Sequence, residues 1–275
     1  MSASHLIRGR VPGESVMSEL VMLQRSQPAR SGLAKFFGVS PLAGAHRSLY
    51  SSALGELLVG DSVDNIGPEW DVLHVVPVDN QSPQIDHLVI GPPGVFSLWT
   101  KNFPGQEIVV DGETMLVGGH PVTDVADARR QASTAAALLT AATGSGPELE
   151  LAVDVEPVVV VVNPKKLVIR KQPSGLMVVS SKQLLRWLTK MDRRLDGAEV
   201  AYISDISDRE STWHSPPEPV QDAQQLHREF ALLREAVSNA SRVRLGWGAL
   251  AFVVVAASAW TAAVMLAEHF EHLVQ

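Results

Sequence analysis

The chain has 275 residues, a net charge of −7 and no cysteine. Its length suits one globular domain with flanking segments, and its acidic balance excludes a protein that coats nucleic acid with its whole surface. The missing cysteine excludes disulfides and thiolate metal centres and suits a reducing compartment.

From the N-terminus, residues 1–43 are rich in Ser, Pro, Gly and Arg and lack an apolar core ahead of a small-residue cleavage site. They are no signal peptide and read as a largely disordered leader. Inside it, "LAKFFGV" (Leu33–Val39) is a loose lead-in by the plainer reading and a contact for a membrane surface or the domain by the other.

The periodicities then alternate over residues 44–207. Ala45–Asp64 is expected to be helical, with Leu49, Ala53, Leu57 and Leu58 on one side, and Gly67-Pro68 ends it. Trp70–Val78 reads as a strand. Ile85–Asn102 reads as a hairpin turning at Pro92-Pro93, and Gln106–Gly119 as a second one around Asp111-Gly112, a type I′ turn signal. Val122–Ala142 is a helix rich in Ala and Leu. "VEPVVVVVN" (Val155–Asn163) lacks alternation, as a strand buried on both faces does. Leu176–Ser180 is another strand, and Ser181–Met191 a closing helix capped by Ser180 or Ser181. This order implies an α/β fold, a mixed sheet flanked by helices.

Residues 208–244 read as a linker followed by an amphipathic juxtamembrane helix. The prolines of "STWHSPPEP" (Ser211–Pro219) break helix and sheet, after which Leu226, Phe230, Leu233, Val237 and Ala240 recur at 4-3-4-3 spacing. That stripe packs on the domain or serves self-association. Leu245–Ala267 holds 23 residues without a charge. At ~1.5 Å per residue such a helix is about 34 Å long, enough to cross a hydrocarbon core of about 30 Å. Arg234, Arg242 and Arg244 precede it and no Lys or Arg follows. The positive-inside rule therefore puts the large N-terminal part in the cytoplasm. The expectation is a tail-anchored, single-pass protein of the plasma membrane with Trp247 at the inner interface. His269 and His272 could share a metal but read as solvated.

The residues so far quoted resemble the NERD (nuclease-related domain) family, a branch of the PD-(D/E)xK nuclease fold. The resemblance rests on "LGE" (Leu54–Glu56), "IDHLVIGPPGVF" (Ile85–Phe96), "TKNFPG" (Thr100–Gly105), "ARRQA" (Ala128–Ala132) and "VEPVVVVVN", spanning roughly Ser51 to Leu188. It implies a Mg²⁺-dependent phosphodiesterase site in which Glu56 matches the acidic residue of the first helix and Gln131 the polar residue of the central helix. Hydrolysing a phosphodiester needs a cation to polarise the phosphate and activate water, hard oxygen ligands to hold it, and a nearby lysine to stabilise developing charge.

Strand geometry places those groups. A hairpin symmetric about Pro92-Pro93 sets Ile90 opposite Val95, Leu88 opposite Ser97 and Asp86 opposite Trp99. Paired Cβ atoms lie about 4.5–5.5 Å apart, close enough for two carboxylates to share an ion. Lys101 projects from the same face as residue 99. The pattern thus runs Asp86…Trp99-Thr100-Lys101, with an indole where the second carboxylate belongs. The expectation is a degenerate site, Asp86 and Glu56 holding Mg²⁺ weakly if at all. Trp99 is core filling by the plain reading and a base-stacking platform by the other. Asp86 could equally cap a turn or pair with Lys101. His87 points away from Asp86 and reads as a packing or surface residue.

A second surface is basic. Residues 163–194 hold nine Lys and Arg, among them Lys165, Lys166, Arg170 and Lys171, against one acid, Asp192. DNA or RNA phosphate, anionic inner-leaflet lipid and plain solvation are three readings of that run. Three functions remain open: a degenerate nuclease-related protein that binds nucleic acid or a protein partner, an active nuclease using Asp86, Glu56, Lys101 and Gln131, and a membrane scaffold without enzymatic activity.

Overall fold

A computed structural model describes residues 7–42, 44, 46–78, 84–144, 152–213 and 222–274. It divides into two compact units, Met1–Leu20 with Ser48–Leu226, and Val21–Arg47 with His227–Gln275.

The first unit is built on a five-stranded sheet in the order β1 (Asp71–Val76), β2 (Ile85–Gly91), β3 (Gly94–Asn102), β7 (Val155–Val162), β9 (Met177–Ser180). β1, β2 and β3 are antiparallel neighbours, while β7 and β9 add in parallel. A second sheet, not foreseen as separate, joins β6 (His120–Val122), β5 (Thr114–Val117), β4 (Glu107–Asp111) and β8 (Lys166–Lys171). The helices are α1 (Glu14–Arg25) and α3 (His46–Val63), both of which run across the boundary between the units, α4 (Asp124–Thr143), α5 (Ser181–Leu188) and α6 (Gly197–Asp208). The expected mixed α/β architecture is present, with β6, β8 and α6 as additions.

Apolar residues sort onto the faces of the main sheet by the two-residue period of a strand. Val158, Val160 and Val162 of β7 pack with Val59 and Val63 of α3 and Leu184 of α5. Val159 and Val161 face the other way, against Ile108 and Met115 of the second sheet. On that same side Ala132, Ala135 and Leu139 of α4 and Ile203 of α6 cover Leu88 and Ile90. The run of valines is therefore buried on both faces. β8 was hidden by its charges, since a strand of pattern exposed-to-intermediate with lysine at both ends behaves as a guarded sheet edge. α6 begins at a capping box, in which Asp196 accepts from the Glu199 N–H and Glu199 from the Asp196 N–H.

The hairpin register holds: Ile90 pairs with Val95 and Leu88 with Ser97. The Asp111-Gly112 hairpin also forms, with Asp111 opposite Thr114 and Gly112 at φ +56°. It is not a type I′ turn, which needs two positive φ values, because Glu113 has none. At Val75 the chain adopts φ +54°, a strained conformation for a β-branched residue. The β1–β2 ladder there steps from His74–His87 to Val76–Ile85, leaving Asp86 unpaired.

The N-terminal segment departs from the expected disorder in its described residues. Met17 and Leu20 of α1 are buried at helical spacing, and the Arg8 backbone N–H donates to Asp208 Oδ1 at 2.7 Å. A short apolar stripe and a few long-range polar contacts order a segment whose composition looks loose.

In the second unit, α2 (Gly32–Phe36) precedes α7 (Ala223–Val274), a single helix of 52 residues. The juxtamembrane helix and the apolar stretch are thus continuous. Phe230, Leu233 and Ala240 of the 4-3-4-3 stripe are buried, and Arg25 pairs with Glu229 at 2.5 Å. Part of α7 is long and apolar enough to cross a membrane, and none of that apolar part is buried. Ser258 and Thr261 donate back to the Val254 and Ser258 carbonyls, as a hydroxyl in such a helix must. The linker from residue 214 to 221 and the side chains of His269 and His272 lie outside the described residues.

Candidate active site

Asp86 sits where both flanking ladders are interrupted. The last β2–β3 pair is His87–Leu98, so the foreseen Asp86–Trp99 pair does not form. Instead the Thr100 N–H donates to Asp86 Oδ2 at 2.7 Å. The carboxylate takes the place a strand carbonyl would have held.

Glu56, on the buried side of α3, interacts electrostatically with Asp86 and Lys101. Loss of hydration pushes the Asp86 carboxyl up to about 6, against the opposing pull of the Thr100 N–H and Lys101. Burial raises Glu56 well above the carboxylate range, and the negative charge of Asp86 adds to it. Ionising both acids sets two buried negative charges against each other. A divalent cation would remove that repulsion, and two carboxylates are the right kind of donor for Mg²⁺. No group of three or more His, Cys, Asp or Glu that could hold a metal occurs among the described residues, so these two carboxylates are the acidic donors an ion would meet there.

Trp99 takes the plain one of its two readings, but not at the place expected for it. Its ring packs with Ile108, Met115, Val125 and Val161, so it is core filling between the two sheets and not a block beside Asp86. Its Nε1–H donates to Asp124 Oδ1 at 2.9 Å. Lys101 Nζ lies 3.4 Å from the same oxygen and 4.5 Å above the indole centroid, the geometry of a cation–π contact. Lys101 therefore stands between two acidic sets, Glu56 with Asp86 and Asp124 with Trp99.

Asp124 is the site residue that sequence reasoning missed. Its only local signal is an acid in the first turn of a helix, which ordinarily just complements the helix dipole. Gln131 is 1% exposed and bound within the fold: Ser97 Oγ donates to its Oε1 at 2.8 Å and its Nε2 donates to the Gln84 carbonyl at 2.7 Å. Both ends of its amide are thus engaged within the fold.

Next to Asp86 on β2 lies a buried pair of imidazoles on the α3 side, where a Cβ at Gly60 would come within 3.4 Å of His87 Cε1. His74 Nε2 meets Asp64 Oδ1 at 2.9 Å, and His74 Nδ1 meets His87 Nδ1 at 2.8 Å. With a proton on His74 Nε2 directed to Asp64, His87 must donate from Nδ1, which leaves its Nε2 a bare acceptor. Among the described residues that atom meets no hydrogen-bond partner, and neither does Thr100 Oγ1. Burial holds both imidazoles below the usual histidine range, most strongly at His87. His87 is thus a packing residue.

The basic run is met by acids from elsewhere. Lys165 pairs with Glu107, Arg170 with Asp111, Arg193 with Glu69 and Arg194 with Glu156. Lys166 and Lys171 lie exposed on β8 and Lys182, Arg186 and Lys190 on or just after α5. The excess of positive charge in sequence is much reduced in space. A cleft of about 690 Å³ lined by Arg8, Trp70, Asp71, Arg193 and Asp208 lies apart from Asp86, Glu56 and Lys101.

With this geometry in place, the comparisons with known proteins add one match. Residues 51–162 fit the family model NERD, described as nuclease-related domain. No curated protein and no solved structure matches the chain.

Proposed function

Because residues 51–162 form a nuclease-related domain and α7 can span a membrane, we propose a membrane-anchored protein whose hydrolytic site is degenerate and whose domain binds nucleic acid or a protein partner without cutting. The observation that supports this is the Trp99–Asp124–Lys101 triad, with contacts at 2.9 and 3.4 Å. The lysine that should stabilise a phosphoryl transition state is engaged by an internal carboxylate and an indole, and position 99 offers the cation no oxygen. Arg234, Arg242 and Arg244 before the apolar stretch favour a cytoplasmic domain. Exposed Lys166, Lys182 and Arg186 are the cations to meet phosphate, and their contribution should fall as salt rises.

A second reading, an active Mg²⁺-dependent nuclease, is favoured by the raised carboxyl groups of Asp86 and Glu56. Asp86, Glu56 and Lys101 would then hold the ion and its phosphate.

The two part in one experiment on the full chain in detergent. Labelled DNA and RNA are incubated with Mg²⁺ or Mn²⁺, and binding is followed by anisotropy over a salt series. The first reading expects salt-dependent binding, weakened by Lys166→Glu with Lys182→Glu, and no cleavage above that of Asp86→Ala. Metal-dependent cleavage lost in Asp86→Ala establishes the second. Absence of any binding at low salt leaves the domain as a protein-interaction scaffold.

A further inference from the structure

The second unit carries an apolar surface that its own fold does not cover. Gly38, just after α2, has φ +68°, and a Cβ there would meet the Ala240 carbonyl at 2.5 Å and Arg244 N at 2.6 Å. Only glycine allows that approach, and it presses the end of α2 onto α7 immediately before the apolar stretch. Trp247 Nε1 donates to the Phe36 carbonyl at 2.7 Å. Its ring lies 5.0 Å from that of Phe36 and 5.5 Å from that of Phe37. The segment is therefore pinned at a defined height on α7.

What it presents outward is greasy. Leu33 is 72% exposed, Phe36 56%, Phe37 53% and Val39 52%. Leu245, two residues before Trp247 at the head of the apolar stretch, is itself 75% exposed. Exposed Lys35, Arg242 and Arg244 accompany it. A contiguous apolar patch fringed by cations marks an interaction site. From Trp247 to Ala267 the rise of ~1.5 Å per residue covers about 30 Å, one hydrocarbon thickness. When α7 spans, Trp247 and the α2 segment bound to it fall at the headgroup level, where indoles and in-plane amphipathic segments bind.

We propose that Leu33, Phe36, Phe37 and Val39 form a second membrane contact, lying in the headgroup–acyl boundary of the leaflet where α7 enters, with Lys35, Arg242 and Arg244 on anionic lipid. This inference rests on the reading of α7 as a span. Its occupant is lipid because the patch is continuous with the apolar surface of α7 and because its flanking charges are all positive.

The absence of native cysteine permits single-site labelling. Leu33→Cys, Phe252→Cys and Lys190→Cys, each exposed, are spin-labelled in the full chain and reconstituted into nanodiscs with or without phosphatidylserine. Accessibility to oxygen is compared with accessibility to a polar nickel chelate. The expected result is a label at 252 deep in the bilayer, a label at 190 in water, and a label at 33 preferring oxygen at least threefold over that at 190. Removing phosphatidylserine should lower that preference without moving the label at 252. A label at 33 as open to nickel as that at 190, with 252 still in the bilayer, overturns the lipid contact alone. Shielding of 33 from both reagents assigns the patch to a protein partner or a second copy and also overturns it. A label at 252 in water removes the anchor and this inference together.

Discussion

Asp86 and His87 are neighbours on β2, and the same loss of water acts on them with opposite sign. On one side the Asp86 carboxyl is pushed up to about 6. On the other, His87 is held well below the ordinary histidine range. Both are biased toward the neutral form, but the consequences differ. The imidazole is at rest when neutral, because it donates to His74 and carries no charge to compensate. The carboxyl groups of Asp86 and Glu56 ionise against the cost of burial, which a cation beside them would offset. The histidine pair is a structural network; the carboxyl pair retains the electrostatics of a site.

The largest effect should come from Trp99, which decides whether position 99 is core or chemistry. Trp99→Ala is expected to lower stability by about 3–5 kcal/mol, the usual cost of emptying an aromatic core position. Chemical denaturation of the full chain in detergent measures it, and a loss under ~1 kcal/mol would mean that the ring is dispensable to packing.

Next comes the pH dependence of the carboxyl side. A folded pKa near 6, above the unfolded value, stabilises fully below about pH 4 and the benefit is lost as pH rises through about 6. On the order of 2–3 kcal/mol is at stake, from ~1.4 kcal/mol per unit. Asp86→Asn keeps an acceptor for the Thr100 N–H, so it should abolish this loss and raise stability at pH 7. An unchanged profile would remove Asp86 as its source.

The histidine side has the opposite slope. Folded His74 and His87 stay neutral while their unfolded counterparts protonate below about 6.5, so acidification through that value destabilises. His87→Leu leaves His74 Nδ1 unpaired at a cost of about 1–3 kcal/mol, and the acid-side decline should flatten. Because the two slopes overlap and oppose each other, the single variants expose what the wild-type profile partly hides.

The smallest effect belongs to the basic run. Lys165→Ala breaks an exposed pair with Glu107 and should change stability by less than ~1 kcal/mol.

Much of the framework was legible. Pro92-Pro93 between alternating apolar residues specified the β2–β3 register, and the valines of β7 announced a strand buried twice over. The resemblance led to Glu56, Asp86 and Lys101, which do interact. The fate of Trp99 was only half legible: an indole at that position was plain, but the register extrapolated past His87–Leu98 put it beside Asp86. The strands part there, and the ring turns to the second sheet. β8 and α6 were overlooked because charge masks the first and weak amphipathicity the second.

From its own order of residues, the chain determined what repeats locally: the turns, the strand periods, the helix caps and the 23 uncharged residues of α7. Tertiary structure alone decided which charges meet. Asp124 reaches Trp99 across 25 positions, and Glu69 reaches Arg193 across 124. Periodicity is a property of neighbours along the chain. Ion pairing and desolvation act through a few ångströms of space, so the state of the site and the true charge of the basic run depend on contacts that no local pattern records.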